Sequence, residues 1–196
     1  MYEDENLLLL NKRPGLVVHA DDTEKVNTLI NHIQAYLYQK REWNPRWENA
    51  FAPALCNRID RNTGGMVIAA KNAETLRIIN EKIRLREIDK RYLCITVGRP
   101  KPPEGRIECF LLKDEQKKQV SVYHRPVPGG KTAVTRYRTL ETRGELSLLE
   151  VQLLTGRTHQ IRATMADLGC PLLGDGKYGN GAANRRYGET LSLIHI

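Results

Sequence analysis

Asn57–Ala70 reads NRIDRNTGGMVIAA, a charge knot running straight into an apolar stretch. Gly64 and Gly65 divide the two halves. Before them lie Arg58, Asp60 and Arg61, the densest group of charges in the chain, and after them Met66–Ala70 reads as a buried strand. On an extended backbone Arg58 and Asp60 project to one face. A guanidinium beside a carboxylate favours the ionised form, which suits an aspartate to be a nucleophile, a strong-field anion or a weak base rather than an acid. The same residues also fit an ordinary surface ion pair. The setting favours a site: a turn through Thr63, Gly64 and Gly65 lets backbone approach a ligand closely, and the strand behind it anchors the charge.

Upstream, two aliphatic runs flank Pro14-Gly15, the pattern of two strands around a tight connection. From Thr23 to Gln39 the positions Val26, Leu29, Ile30, Ile33 and Leu37 recur at helical intervals, and Lys40–Pro53, with Trp43, Pro45 and Trp47, has no steady period and reads as a loop. Downstream, Asn72 is placed to cap a helix carrying Leu76, Ile79 and Ile83. Leu93, Ile95 and Val97 alternate with Tyr92, Cys94 and Thr96 in a strand closed by Gly98, with Tyr92 pointing away from the leucine face. Further strands are expected at Ile107–Leu112, Val120–Tyr123, Ala133–Leu140 and Leu146–Leu154, the last two joined through Thr142–Glu145. A helix then follows with Thr158 as its N-cap, Ile161, Met165 and Leu168 as its stripe and Gly169 as its stop. Strands and helices interleave without strict alternation, which makes the class α+β on a mixed, largely antiparallel sheet flanked by helices. After Gly179 the pattern dissolves in Gly, Asn and Arg. Leu191–Ile196, LSLIHI, resembles the translation of a sequence used in DNA library preparation and is set aside as non-native, leaving residues 1–190 as one domain.

A length of 196 residues with 40% hydrophobic content supports one core, and the ordinary Gly and Pro content excludes disordered, collagenous and repeat classes. The longest aliphatic run, Leu7–Leu10, is far short of the roughly 20 residues of a spanning helix, so no membrane contact is expected. Lys and Arg number 31 against 23 Asp and Glu; the resulting +8 fits a polyanionic partner, nucleic acid first, as well as plain solubilising charge. Cys56, Cys94, Cys109 and Cys170 are widely spaced with no paired Cys/His pattern, the usage of reduced thiols, and no leader precedes them, so no metal is expected and the cytoplasm is the expected location.

Thr155–Arg162, TGRTHQIR, gathers Arg157, His159 and Arg162 at a helix start, where unpaired N–H groups favour anions such as phosphate. Arg162 can instead grip a carboxylate with two bonds. His159 reads either as a hydrogen-bonded structural residue or as part of the site. No nucleophile elbow, P-loop, zinc-protease motif or dinucleotide fingerprint occurs, so hydrolase, nucleotidase, zinc-enzyme and dehydrogenase readings lack local support.

These segments carry a resemblance. NRIDRNTGG resembles the HRLDxxTSG signature of the RluA family of pseudouridine synthases; KRYLCITVG (Lys90–Gly98), TGRTHQIR and GCPLLGDGKYG (Gly169–Gly179) resemble that family's later motifs in the same order, over Tyr2–Gly179. The resemblance implies the pseudouridine synthase catalytic fold and an isomerase that breaks the N1-glycosidic bond of uridine, rotates the base and rejoins it through C5, without metal or cofactor. It implies Asp60 as the essential aspartate, acting by attack on C1′ or by removal of the C2′ proton. Tyr92 is implied as the ring lining the uracil and assisting proton removal, Arg162 as the arginine paired with the aspartate, and Arg58 as an arginine holding the uridine out of the stack. Arg61, Thr63, Arg157 and His159 fall in the same motifs and are expected to hold substrate or RNA; Arg125, Arg136, Arg138, Arg185 and Arg186 are expected to add unspecific phosphate contacts. Asn57 stands where the family commonly has His, and Gly64 where it commonly has Ser. Relatives often begin with a small RNA-binding module that is expected to be missing here, and their last strands are expected to be cut off. The expected partner is RNA, large-subunit ribosomal RNA first, with the chain a monomer; a transfer-RNA enzyme of the same class and a non-catalytic RNA-folding protein are the alternatives.

Overall fold

The computed structural model describes residues 2–47, 50–187 and 190–196. The chain divides into two compact units, Met1–Ile88 and Asp89–Ile196. Among the described residues no helix is long and apolar enough to cross a membrane.

The first unit contains β1 (Tyr2–Glu3), β2 (Leu7–Lys12), α1 (Leu29–Gln39), β3 (Ala54–Leu55), β4 (Gly64–Ala70) and α2 (Ala73–Arg84). β2 lies antiparallel between β1 and β4, and β3 pairs antiparallel with β4. The expectation of two strands around Pro14-Gly15 is half corrected. Only the first run is a strand, because the carbonyls of Val17 and Val18 turn to accept the N–H groups of Leu29 and Ile30 at the start of α1, leaving one parallel bridge from Val17 to Thr28. The helix also begins later than Thr23. Asp21 and Glu24 tie up the amides of Thr23, Glu24, Val26 and Asn27 in turns, Thr28 caps the helix through Asn31 N–H, and Val26 is left 79% exposed. Leu29, Ile33 and Leu37 form the buried stripe, each contributing about 1.5–3 kcal/mol of apolar burial. The loop expected over Lys40–Pro53 is irregular, with 48 and 49 outside the described residues.

α2 begins where expected. Asn72 accepts Thr75 N–H at 2.8 Å, and Leu76, Ile79 and Ile83 lie half-buried. A ring of four charges fastens this unit: Lys40 and Lys71 each pair with both Glu3 and Glu42 at 2.6–2.8 Å. It joins β1, the end of α1 and the residue after β4.

The second unit contains β5 (Lys90–Val97), β6 (Glu104–Asp114), β7 (Gln119–Tyr123), β8 (Lys131–Arg143), β9 (Leu146–Leu153), α3 (Gln160–Asp167), α4 (Gly181–Tyr187) and β10 (Leu193–His195). Its sheet is antiparallel in the order β10-β5-β9-β8-β6-β7. The β8–β9 connection is a two-residue turn, Gly144-Glu145, with Gly144 at φ 58°. Alternation along β5 holds, but Tyr92, Cys94 and Thr96 form the more deeply buried face. Ala163 of α3 packs on Cys109, Leu111, Val120 and Ala133, while Ala183 of α4 packs with Val97 and Leu173.

Three expectations change here. The N-cap of α3 is His159, not Thr158, and its left-handed backbone, φ 52°, gives no side-chain cap. The stretch after Gly179 holds α4, begun by Asn180, whose Oδ1 accepts the amides of Ala182 and Ala183. Leu193–His195, excluded from the fold on sequence grounds, forms β10: its alternation buries Leu193 and His195 and pairs them with Cys94 and Tyr92.

Candidate active site

Asp60 sits in a loop whose every flank is fixed. As β3 ends, Cys56 N–H still donates to Ile68 O at 2.8 Å, and the Asn57 side chain then replaces the backbone ladder: its Oδ1 accepts Ile68 N–H at 2.8 Å and its Nδ2 donates to Met66 O at 3.2 Å. Ile59 is buried between exposed Arg58 and half-buried Asp60. Thr63 N–H returns to Asp60 O at 3.1 Å and closes a turn that leads into β4.

A second turn braces the first. Arg61 O accepts the Gly15 N–H at 2.9 Å and the Lys12 Nζ at 2.8 Å; Gly15 lies at φ 92°, a conformation glycine adopts without strain. Lys12 is 2% exposed and also donates to the carbonyls of Arg13 and Leu16. Burial pulls its ammonium down to about 8, and the nearby Asp60 carboxylate opposes that shift. Partial burial and the charge of Arg58 both lower the pKa of His19. Arg61 itself is engaged, donating to Thr23 Oγ1 at 2.5 Å and lying 3.6 Å from Asp21. Thr63 is 2% exposed and serves the turn.

In the second unit Arg162 and Asp175 form a buried two-bond pair, Nε to Oδ2 at 2.7 Å and Nη2 to Oδ1 at 2.9 Å. Burial pushes the Asp175 carboxyl up, but Arg162 and the amides of Lys177 and Tyr178 outweigh it and hold the pKa below the usual carboxylate value. Asn184 of α4 fixes this loop, accepting Gly174 N–H at 2.8 Å and donating to Asp175 O at 3.2 Å. The Arg162 guanidinium lies 5.2 Å from the centre of the Tyr178 ring, and the Tyr178 hydroxyl shares a 2.9 Å hydrogen bond with His159 Nδ1 while accepting Val120 N–H. His159 and Arg162 therefore meet on one tyrosine. Arg157 stays exposed and donates from Nε to Thr132 O at 3.0 Å. Tyr92, 7% exposed in β5, stacks on His195 with ring centres 4.6 Å apart. Of the outlying arginines, Arg138 and Arg186 face Glu150 and Glu145, whereas Arg125, Arg136 and Arg185 have no ion pair among the described residues.

The RNA pseudouridylate synthase profile matches residues 6–167. The chain belongs to that family. Ribosomal large subunit pseudouridine synthase D of Borreliella burgdorferi is 38% identical over 185 residues, covering 91% of this chain and 54% of that protein. The uncharacterized RNA pseudouridine synthase YlyB of Bacillus subtilis is 33% identical, covering 91% of this chain and 56% of the relative. The chain thus spans little more than half the length of these relatives. Human RNA Pseudouridylate Synthase Domain Containing 4 superposes with a TM-score of 0.77 at 26% identity, over 98% of this chain and 80% of that one. Human RNA Pseudouridylate Synthase Domain Containing 1, at 20% identity and the same TM-score, shares the fold.

Asp60, Arg58, Arg61 and Thr63 thus share one braced turn of the first unit, and Tyr92, Arg157, His159 and Arg162 belong to the second. Sequence reasoning missed Lys12, Asp175 and Asn184. Asp175 and Tyr178 stood in a quoted motif, but only the fold shows that both touch Arg162.

Proposed function

We propose that this chain isomerises uridine to pseudouridine in structured RNA, with large-subunit ribosomal RNA as the substrate and Asp60 as the carboxylate that opens the reaction. The observation that carries this reading is the Asp60 turn, built and braced within a chain of the RNA pseudouridylate synthase family. Two relatives named as large-subunit enzymes, from Borreliella burgdorferi and Zymomonas mobilis, support the choice of RNA.

The reaction leaves composition unchanged. The N1–C1′ bond breaks, a C5–C1′ bond forms, the C5 proton departs and N1 ends protonated. Attack on C1′ and removal of the C2′ proton both require an ionised, positioned carboxylate, and two turns locked through Arg61 O supply the positioning. Tyr92 is assigned to the face of the uracil and Arg162 to the aspartate by their match to the family motifs. Reaching a paired uridine means flipping it from the stack at about a few kcal/mol, and exposed Arg58, which has no ion pair among the described residues, is assigned to hold it there. The enzyme acts as a monomer in the cytoplasm, where the free thiols of Cys94 and Cys109, pushed up to about 12 and about 11 chiefly by burial, stay reduced.

The test is uridine conversion in unmodified ribosomal and transfer RNA pools, read at single-nucleotide level, with Asp60→Ala alongside. Conversion in large-subunit RNA that vanishes in the variant while RNA binding persists is the expected result. Conversion confined to transfer RNA would reassign the substrate, and turnover unchanged by Asp60→Ala, or RNA remodelled with no conversion, would overturn the reading.

A further inference from the structure

At the end of β4 away from Asp60, the first unit carries an aromatic groove that the proposed chemistry does not use. Seven residues of β4 at about 3.3 Å each separate Gly64, beside the Asp60 turn, from Lys71, which pairs with Glu42 next to Trp43. The distance is thus on the order of 20 Å. The groove encloses about 430 Å³ and is lined by Tyr38, Gln39, Arg41, Trp43, Asn44 and Trp47.

Its parts are presented by fixed backbone. α1 ends with Arg41 N–H bonded to Tyr38 O and Glu42 N–H to Leu37 O, which turns the chain sharply and sets Arg41, at φ 60°, on the rim. Asn44 then organises a turn with Pro45, accepting Arg46 N–H on Oδ1 and Trp47 N–H on its carbonyl. Trp47 is 51% exposed and Tyr38 54% exposed, large rings left in water by rigid turns rather than tucked into the core.

The charges point the same way. Glu42, between Arg41 and Trp43, is held by Lys40 and Lys71. Arg41 and Arg46 have no ion pair among the described residues. The Trp43 indole N–H is buried with no acceptor among the described residues. Exposed rings flanked by guanidinium groups match what unpaired nucleotides need: π-faces for the bases and cations for the backbone.

We infer that this groove binds an unpaired segment of RNA outside the reacting nucleotide, by stacking bases on Trp47 and Tyr38 with Arg41 and Arg46 on the phosphates. The inference deepens the RNA-modifying reading, and its test is separable from it. Trp43 and Trp47 are the chain's only two tryptophans, so indole emission reports on this groove alone. The full chain is titrated with a labelled single-stranded 12-nucleotide RNA and with a blunt duplex of the same sequence, following label anisotropy and tryptophan emission together. Stacking predicts quenching by the single strand and not by the duplex. Trp47→Ala weakens single-strand binding about tenfold, within the range for loss of one stacked base, while Trp47→Phe restores it. Arg41→Ala lowers the salt dependence of binding. Both Trp47 variants keep their uridine conversion on a stem-loop too short to reach the groove.

RNA that binds by anisotropy without quenching, or equally well to wild type and Trp47→Ala, overturns the inference and leaves the groove to a protein partner, with the uridine chemistry untouched. Equal quenching by the duplex also overturns it. RNA that neither binds nor is converted sinks both readings.

Discussion

Lys12 is almost fully buried, yet its ammonium holds three carbonyls and faces the Asp60 charge. Below pH 8 it is charged in both the folded and unfolded chain, and the fold bears its desolvation. Between about 8 and 10.5 the unfolded chain keeps a proton that the folded chain has released, so stability rises with pH across that window. Relative to Lys12→Met, the wild-type protein is expected to gain on the order of 3 kcal/mol from pH 8 to 10.5, measured by urea unfolding at each pH. A flat difference between the two proteins would show that the ammonium is not desolvated. Asp175 has the opposite sign. Its folded pKa lies below the unfolded one, so its contribution is present above the ordinary carboxylate pKa and is lost as pH falls through the lowered value. Asp175→Asn leaves Arg162 buried against a neutral amide, and the expected loss is about 3–5 kcal/mol at neutral pH with a shallower acid limb, read by thermal unfolding from pH 7 to 3.

At the scale of elements, the join between β3 and β4 rests on one side chain. Asn57 takes over from the strand ladder with both ends of its amide, so Asn57→Ala removes the acceptor of Ile68 N–H and a donor to Met66 O at the root of the Asp60 loop. A loss of about 1–3 kcal/mol is expected, with faster amide exchange at Ile68 and little change at β8 or β9; uniform exchange changes would place the damage elsewhere. The same join shows what sequence can carry. Two glycines before an apolar run foretold β4, alternation foretold β5, and the ranges expected for β6 to β9 fall within or beside the strands found, because those signals are local. The start of α1 was missed because Val26 has helical spacing but lies exposed in turns held by Asp21 and Glu24. The left-handed His159 cap and the short α4 carry no periodic signal at all. Site residues fared likewise. The charge knot around Asp60 was visible because its members are neighbours, but Lys12 reaches Arg61 across 49 positions and Arg162 reaches Asp175 across 13, which spacing rules do not join.

Over the whole molecule, most of the surplus positive charge lies in the second unit, while the proposed carboxylate lies in the first. Binding and chemistry should therefore respond to different perturbations. Arginines without carboxylate partners among the described residues, such as Arg125, Arg136 and Arg185, are expected to contribute through released counterions rather than through base recognition. If about five phosphates of single-stranded RNA are neutralised, affinity falls about a hundredfold between roughly 50 and 200 mM salt. Asp60→Ala is expected to shift the whole curve of log affinity against log salt with no change in slope, because the aspartate releases no counterions. Arg136→Ala is expected to do the reverse, lowering the slope by about 0.7 and leaving single-turnover conversion of saturated RNA intact. Filter binding across the salt series with both variants reads the two effects side by side. A slope that changed with Asp60→Ala would mean that the carboxylate organises the phosphate-binding surface as well as the reaction, and a slope unmoved by Arg136→Ala would take that arginine out of the RNA contact.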